Sequence, residues 1–203
     1  MDDRRRTLSS NPPTRLGSSG LQSQGTSAPL GATVTDGGVN FSLYSRDATH
    51  LELLLFDQPA DPKPARVIEL DPVVDRTYHY WHVFVPDVQA GQIYGFRAHG
   101  RFDASQGLRF DPGKVLLDPY GRAVVVPERY SRQAACESGD NSATAMKSVV
   151  VDPSDYDWEG DTPLRHPSAR TIIYEMHVRG FTRHPNSGVA DHTRGTFAGL
   201  VEK

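Results

Sequence analysis

Between residues 30 and 127 apolar and polar positions alternate in short runs. Val39, Phe41 and Leu43 alternate with Asn40, Ser42 and Tyr44. Leu51, Leu53 and Leu55 alternate with His50, Glu52 and Leu54, and Tyr94, Phe96 and Ala98 with Gly95, Arg97 and His99. A period of two places one set on each face of a strand, so these runs predict half-buried strands. Val67–Leu70 predicts a further short strand. Tyr78–Val85 predicts a longer one, with Trp81, Val83 and Val85 on the core face and Tyr80, His82 and Phe84 on the other. Lys114–Asp118 and Arg122–Val126 complete the set, separated by Pro119-Tyr120-Gly121. Short strands spaced by Gly, Pro and Asp turns predict an antiparallel sandwich of about seven strands.

The grammar changes on either side. Residues 1–28 are rich in Ser, Gly, Pro and Arg, with Leu8, Leu16 and Leu21 scattered among them. So little apolar surface cannot offset the entropy of ordering the chain, and a disordered tail is expected. It has no apolar run of the secretory kind. Asp2 and Asp3 count against an organelle transit peptide. Residues 128–170 read as a connector packed across a surface. Thr171–Val178 is a nearly continuous apolar run, which predicts a strand covered on both faces as in a parallel sheet. A polar loop follows. Then Thr196, as N-cap, and Phe197, Leu200 and Val201, at helical spacing, predict a helix. Strand, loop and helix make the start of a β/α unit.

Composition narrows the function classes. The chain has 203 residues, of which 37% are hydrophobic and 23% charged. Lys and Arg number 22 against 25 Asp and Glu, a net charge of −3. That balance argues against nucleic acid or an anionic membrane as partner, both of which call for a basic excess. No run approaches the ~18 apolar residues of a membrane span. The single cysteine, Cys136, can form no intramolecular disulfide, which fits a reducing, cytoplasmic setting. A soluble, mainly β protein is therefore expected.

Catalytic signatures are missing. The eight histidines show no ligand spacing, so no metal site and no cofactor are expected. His79 and His82 fall on opposite strand faces, and His177, His184 and His192 are scattered along one strand–loop segment. There is no nucleophile elbow and no phosphate-binding glycine loop. Asp71, Asp111, Asp118 and Asp152 each precede a proline, which marks them as turn formers whose carboxylates bond the backbone two residues on. Cys136 lies in a polar loop as a spectator. Among the aromatic residues Trp81 is assigned to the core, and Phe102, in a loop after Gly100, to the surface.

Longer motifs resemble one family. Pro29–Thr33, Gly38–Ser45 and Thr49–Asp57 look like the opening of isoamylase-type glycogen debranching enzymes. So do Gly91–Gly100, Arg109–Pro112, Leu116–Tyr120, Asp157–Asp161 and Tyr174–Thr182, in order and spacing. Branching enzymes are less similar, since they show Val-Trp-Ala-Pro where Leu43-Tyr44-Ser45-Arg46 stands. The resemblance implies an immunoglobulin-like β-sandwich at 29–127, a family 48 carbohydrate-binding module. It implies that 171–203 begins a truncated (β/α)8 barrel of glycoside hydrolase family 13, with Thr171–Val178 its first strand. Retaining hydrolysis there uses two carboxylates about 5–5.5 Å apart. In such barrels they come from the ends of several strands, and in this family from strands later than the first. The chain is therefore expected to hold no catalytic residue and to be silent in hydrolysis. Glu175 reads as a structural carboxylate on a buried strand. The implied partner is an α-glucan, glycogen or limit dextrin, cut at α-1,6 branches by the whole enzyme. Glycogen-binding relatives carry Lys where Gly95 stands, Trp where Phe102 stands, and a second Trp near Asp57. Phe102 is the one position here that keeps a ring for stacking on sugar. The alternative reading is a free-standing α-glucan-binding or regulatory module.

Overall fold

The computed structural model describes residues 23–203. The expected tail lies outside the described residues as far as residue 22. The chain divides into two compact units between Tyr156 and Asp157.

The described residues of the first unit form twelve strands. In chain order they are β1 (Ser23–Gln24), β2 (Gly31–Thr35), β3 (Gly38–Tyr44), β4 (His50–Phe56), β5 (Arg66–Leu70) and β6 (Arg76–Thr77). β7 (Tyr80–Pro86), β8 (Ile93–His99), β9 (Phe102–Asp103), β10 (Leu108–Arg109), β11 (Ala123–Val125) and β12 (Lys147–Val149) follow. One sheet runs β1-β7-β3-β2, with β6 also paired to β7; the other runs β11-β12-β8-β4-β5, and β9 and β10 form a separate hairpin. All pairings are antiparallel. The inner faces meet in one core. Val39, Phe41, Leu43, Trp81, Val83 and Val85 from the first sheet pack with Leu51, Leu53, Leu55, Ile68, Leu70, Tyr94 and Phe96 from the second. Trp81 is a core residue as the alternation predicts, and its indole nitrogen donates to the Ser45 carbonyl at 3.0 Å.

Three features depart from the alternation. β3 is buried on both faces, because residues 25–28 cover its outer side. Thr26 N donates to Asn40 Oδ1 at 2.8 Å, Asn40 Nδ2 to the Thr26 carbonyl at 3.0 Å, and Ser42 Oγ to the Ser27 carbonyl at 2.9 Å. Residues 23–28 therefore do not belong to the expected tail. Apart from Ala28, residues 23–28 have no apolar side chain to betray them; the pairing of β1 with β7 and polar satisfaction hold them down. Lys114–Asp118 is not a strand, and only Leu116 bridges to Phe96. Conversely β12, in the expected connector, joins the second sheet between β11 and β8. Its Lys147 is fully buried, with Nζ donating to the carbonyls of Pro59 at 2.6 Å and Ser142 at 2.5 Å. A polar strand held by a buried ammonium carries no alternating signal to read.

The turns expected at Asp71, Asp111, Asp118 and Asp152 form as the sequence predicts. Asp71 Oδ1 accepts from Val73 N, Asp111 Oδ1 from Gly113 N, Asp118 Oδ1 from Tyr120 N and Asp152 Oδ1 from Ser154 N, at 2.8–2.9 Å.

The second unit contains α1 (Val178–Arg183) and α2 (Phe197–Val201). Thr196 caps α2, its hydroxyl accepting from Gly199 N at 3.3 Å. The strand expected at Thr171–Val178 does not form. Residues 172–177 lie in no strand, and His177 instead caps α1 through Nδ1, 2.9 Å from Gly180 N. Ile172 is 95% exposed, and Glu175 is exposed rather than on a buried strand. The physical reason is pairing. A parallel strand exists only beside neighbours that satisfy its backbone, and no described segment of this unit is a strand. The fold is thus mainly β, with antiparallel sheets and short helices, and no β/α unit is formed among the described residues.

Candidate functional site

The second sheet positions the candidate site. β8 ends at His99, and Gly100 turns the chain out. A Cβ at position 100 would lie 2.6 Å from the Phe110 ring, so glycine there lets that ring pack directly on the backbone. The β9–β10 hairpin follows, with Phe102 opposite Arg109 and Asp103 opposite Leu108. Asp103 fixes the hairpin tip. Its carboxylate accepts from Ser105 N at 3.1 Å and Ser105 Oγ at 2.6 Å, which holds it below the usual carboxylate range. Gly107, at φ 76°, closes the turn in a conformation that glycine adopts without strain.

Beneath the hairpin, residues 111–116 lie along β8. Phe96 N donates to the Leu116 carbonyl at 2.9 Å and Leu116 N to the Phe96 carbonyl at 2.8 Å. This close approach needs Gly95, because a Cβ there would stand 2.7 Å from Val115 Cγ1 and 3.2 Å from the Leu116 carbonyl oxygen. The Lys of glycogen-binding relatives has no room at this position. Buried Lys114 ties the segment to the opposite wall, its Nζ donating to the carbonyls of Ala134 at 2.9 Å and Gly139 at 2.6 Å. Asn141 adds a second tie, its Oδ1 accepting from Val115 N at 2.7 Å.

Between these walls lies a cleft of about 650 Å³. Phe102, Leu108 and Phe110 give it apolar surface, and Arg109, Asp111 and Asn141 give it hydrogen-bonding groups. Phe102 stands at the cleft with 67% of its surface exposed. An exposed ring, directly across a strand pair from a guanidinium, can stack on the apolar face of a pyranose while the guanidinium bonds a hydroxyl. Cys136 also lines the cleft as an exposed free thiol, a location that its polar sequence context did not reveal.

One cluster escaped the sequence reading. His50 and Glu52, two apart on β4, share a face, and His99 of β8 stands directly opposite His50. Histidine spacing alone could not find it, because the third member comes from strand register. His79, His82, His177, His184 and His192 contribute to no such group among the described residues.

Comparison with known proteins agrees with this architecture. Residues 29–121 match the model of carbohydrate-binding module 48, the isoamylase N-terminal domain. This segment is a family 48 module. The chain is 43% identical over 185 residues to a glycogen debranching enzyme of Serratia proteamaculans, and 41% identical over 182 residues to chloroplastic isoamylase 1 of Oryza sativa. These alignments take in 87% and 88% of this chain but 26% and 22% of the relatives. The chain thus spans about a quarter of the length of the curated relatives it matches. Among solved structures it resembles the pneumococcal glycogen-degrading factor SpuA, with TM-score 0.54 at 21% identity, covering 87% of this chain and 18% of that one. A pullulanase from Bacillus acidopullulyticus gives TM-score 0.53 at 21% identity, over 84% and 18%. At such identities the likeness speaks for the fold. The family 48 module lies within the first compact unit, which also holds the cleft.

Proposed function

We propose that this chain is the N-terminal, glucan-holding part of a debranching hydrolase that cleaves α-1,6 linkages of glycogen or limit dextrin. The observation that carries the reading is the family 48 match over residues 29–121, set beside debranching enzymes and isoamylases that align with nearly the whole chain. In this reading α-glucan lies in the Phe102 cleft. The ring stacks on one glucose, and Arg109 and Asp111 bond its hydroxyls. The exposed apolar side chains of Ile172, Ile173 and Tyr174 fit a first barrel strand awaiting its neighbours. We therefore assign 171–203 to the start of the hydrolase barrel and no catalytic carboxylate to this chain; of the connector expected at 128–170, the part up to Tyr156 belongs to the first unit and 157–170 leads into the barrel start. Nucleic acid and membrane have no part in the reading. No helix among the described residues is long and apolar enough to cross a bilayer. The setting we propose is cytoplasmic.

A second reading, an α-glucan-binding or regulatory module acting alone, is favoured by one observation: the cleft and its exposed ring lie wholly within the first unit. One experiment tests both readings. The chain is run through glycogen-containing gels, beside Phe102→Ala, and incubated with a branched glucan while new reducing ends are assayed. We expect retardation, its loss in Phe102→Ala, and no reducing ends above a blank. Unretarded migration refutes the cleft assignment, and turnover refutes the absence of catalytic groups.

A further inference from the structure

The outer face of the second sheet has two halves. Leu54, Phe56 and Ile93 are covered by Val115 and Ala145. The other half is open and polar. There β4 presents His50 and Glu52, and β8 presents Arg97 and His99, with His50 opposite His99 and Glu52 opposite Arg97. On the far side of β4, exposed Glu69 of β5 stands opposite Glu52.

His50, Glu52 and His99 each offer one donor atom, and these atoms lie within 4.8 Å of one another. His99 Nε2 and Glu52 Oε1 are 2.7 Å apart, and the His50 and His99 rings meet edge to face with centroids at 5.0 Å. A tetrahedral zinc ion with bonds of about 2.0–2.1 Å holds its donors roughly 3.3 Å apart. Small side-chain rotations close that difference, and the backbone need not move, because all three residues stand on adjacent paired strands. Residues carried on strands hold ligand geometry better than loop residues do. All three are partly exposed, so an ion can enter and water can complete its coordination.

The surrounding charges favour a cation on balance. Glu69 adds negative potential beside Glu52. Arg97 is the opposing charge, but its guanidinium is drawn to Asp140 and to Ser142 Oγ, the latter at 3.0 Å. Two imidazoles and a carboxylate are the donor set of zinc and its borderline neighbours, whereas calcium and magnesium prefer all-oxygen cages.

We propose that His50, Glu52 and His99 form a surface site for a zinc-type divalent ion on the outer face of the sandwich. The two strands it joins, β4 and β8, are neighbours at the centre of the second sheet, so the bound ion clamps them. This site is separate from the Phe102 cleft, and its test is independent of glucan binding.

The test is calorimetric titration of the chelator-treated chain with zinc chloride, alongside thermal unfolding with and without zinc. We expect one ion per chain and a raised unfolding temperature. His50→Ala, His99→Ala and Glu52→Gln should each lower affinity at least about tenfold, the loss that even a partner behind a ligand can give. His166→Ala, in the second unit, should leave binding unchanged. Cobalt should give visible bands of four- or five-coordinate type in the parent and lose them in His50→Ala. If His99→Ala fails to fold, His50→Gln at the strand's start carries the comparison. Absence of stoichiometric zinc binding overturns the proposal. So does binding that survives in His50→Ala, since the His99–Glu52 contact would then be only a structural pair.

Discussion

Gly95→Ala should loosen the wall of the Phe102 cleft from inside the module. Gly95 sits in the middle of β8, and its added methyl would stand 2.7 Å from Val115 Cγ1. Val115 cannot swing away. It is buried against Leu54, Phe56 and Ala145, and its backbone is held by Asn141. Forcing a methyl into such a space costs about 1–3 kcal/mol. Replacing glycine in a strand interior returns roughly 0.5–1 kcal/mol, because the unfolded chain loses freedom. The net expectation is a loss of about 1–2 kcal/mol, read as a lower urea midpoint at constant slope. Val115→Ala removes the colliding atom. In the double variant the two losses should therefore fall short of additivity by about 1 kcal/mol, a coupling typical of residues in contact. The same variant should expose Cys136 to thiol reagents faster, since residues 111–116 and Cys136 line one cleft. Gly95→Ala with parent stability, or strict additivity with Val115→Ala, would falsify the claim that glycine is required here by close packing.

Three further outcomes follow from other parts of the structure. Tyr94 Oη donates to buried Asp118 at 2.7 Å, and burial raises the Asp118 carboxyl above its ordinary range. The folded state therefore binds more protons than the unfolded one between those values, so this group's contribution is present at low pH and lost as pH rises through the raised value. Tyr94→Phe should cost about 2 kcal/mol near neutral pH, where it strands a buried carboxylate, and less below the ordinary carboxylate range; a pH-independent loss in urea titrations would refute this. Lys147→Met leaves the carbonyls of Pro59 and Ser142 without their donor and should lower the unfolding midpoint; an unchanged midpoint contradicts the role assigned to the ammonium. Amide exchange should be fast across residues 172–177 and slow across β3 and β7, and equal protection contradicts the unpaired state described here.

The parts of the fold that the sequence made legible share one property: apolar side chains alternating along strands whose inner faces fill the core. β3, β4, β7 and β8 are of this kind, and so were readable. The Asp-Pro turns were readable for a different reason, since their chemistry is local. What escaped depended on partners distant in sequence. Residues 23–28 are ordered by Asn40 and Ser42, and β12 by hydrogen bonding around buried Lys147. The run Thr171–Val178 failed in the opposite sense, because its composition asks for strand neighbours that the described chain does not supply. The candidate site divides along the same line. Phe102 could be assigned to the surface from its setting after Gly100, but the cleft walls come from residues as far apart as Ala98 and Asn141. The His50–Glu52–His99 group needed strand register.

Cys136 offers the most direct test of the central claim, that α-glucan is held in the Phe102 cleft. It is the chain's one cysteine and it lines that cleft. Its alkylation rate would be followed by mass spectrometry against rising maltohexaose, in the parent and in Phe102→Ala. The account predicts saturable slowing in the parent and none in the variant, with both chains equally stable. Glucan that binds the parent yet leaves the Cys136 rate untouched would place the sugar elsewhere and contradict the account.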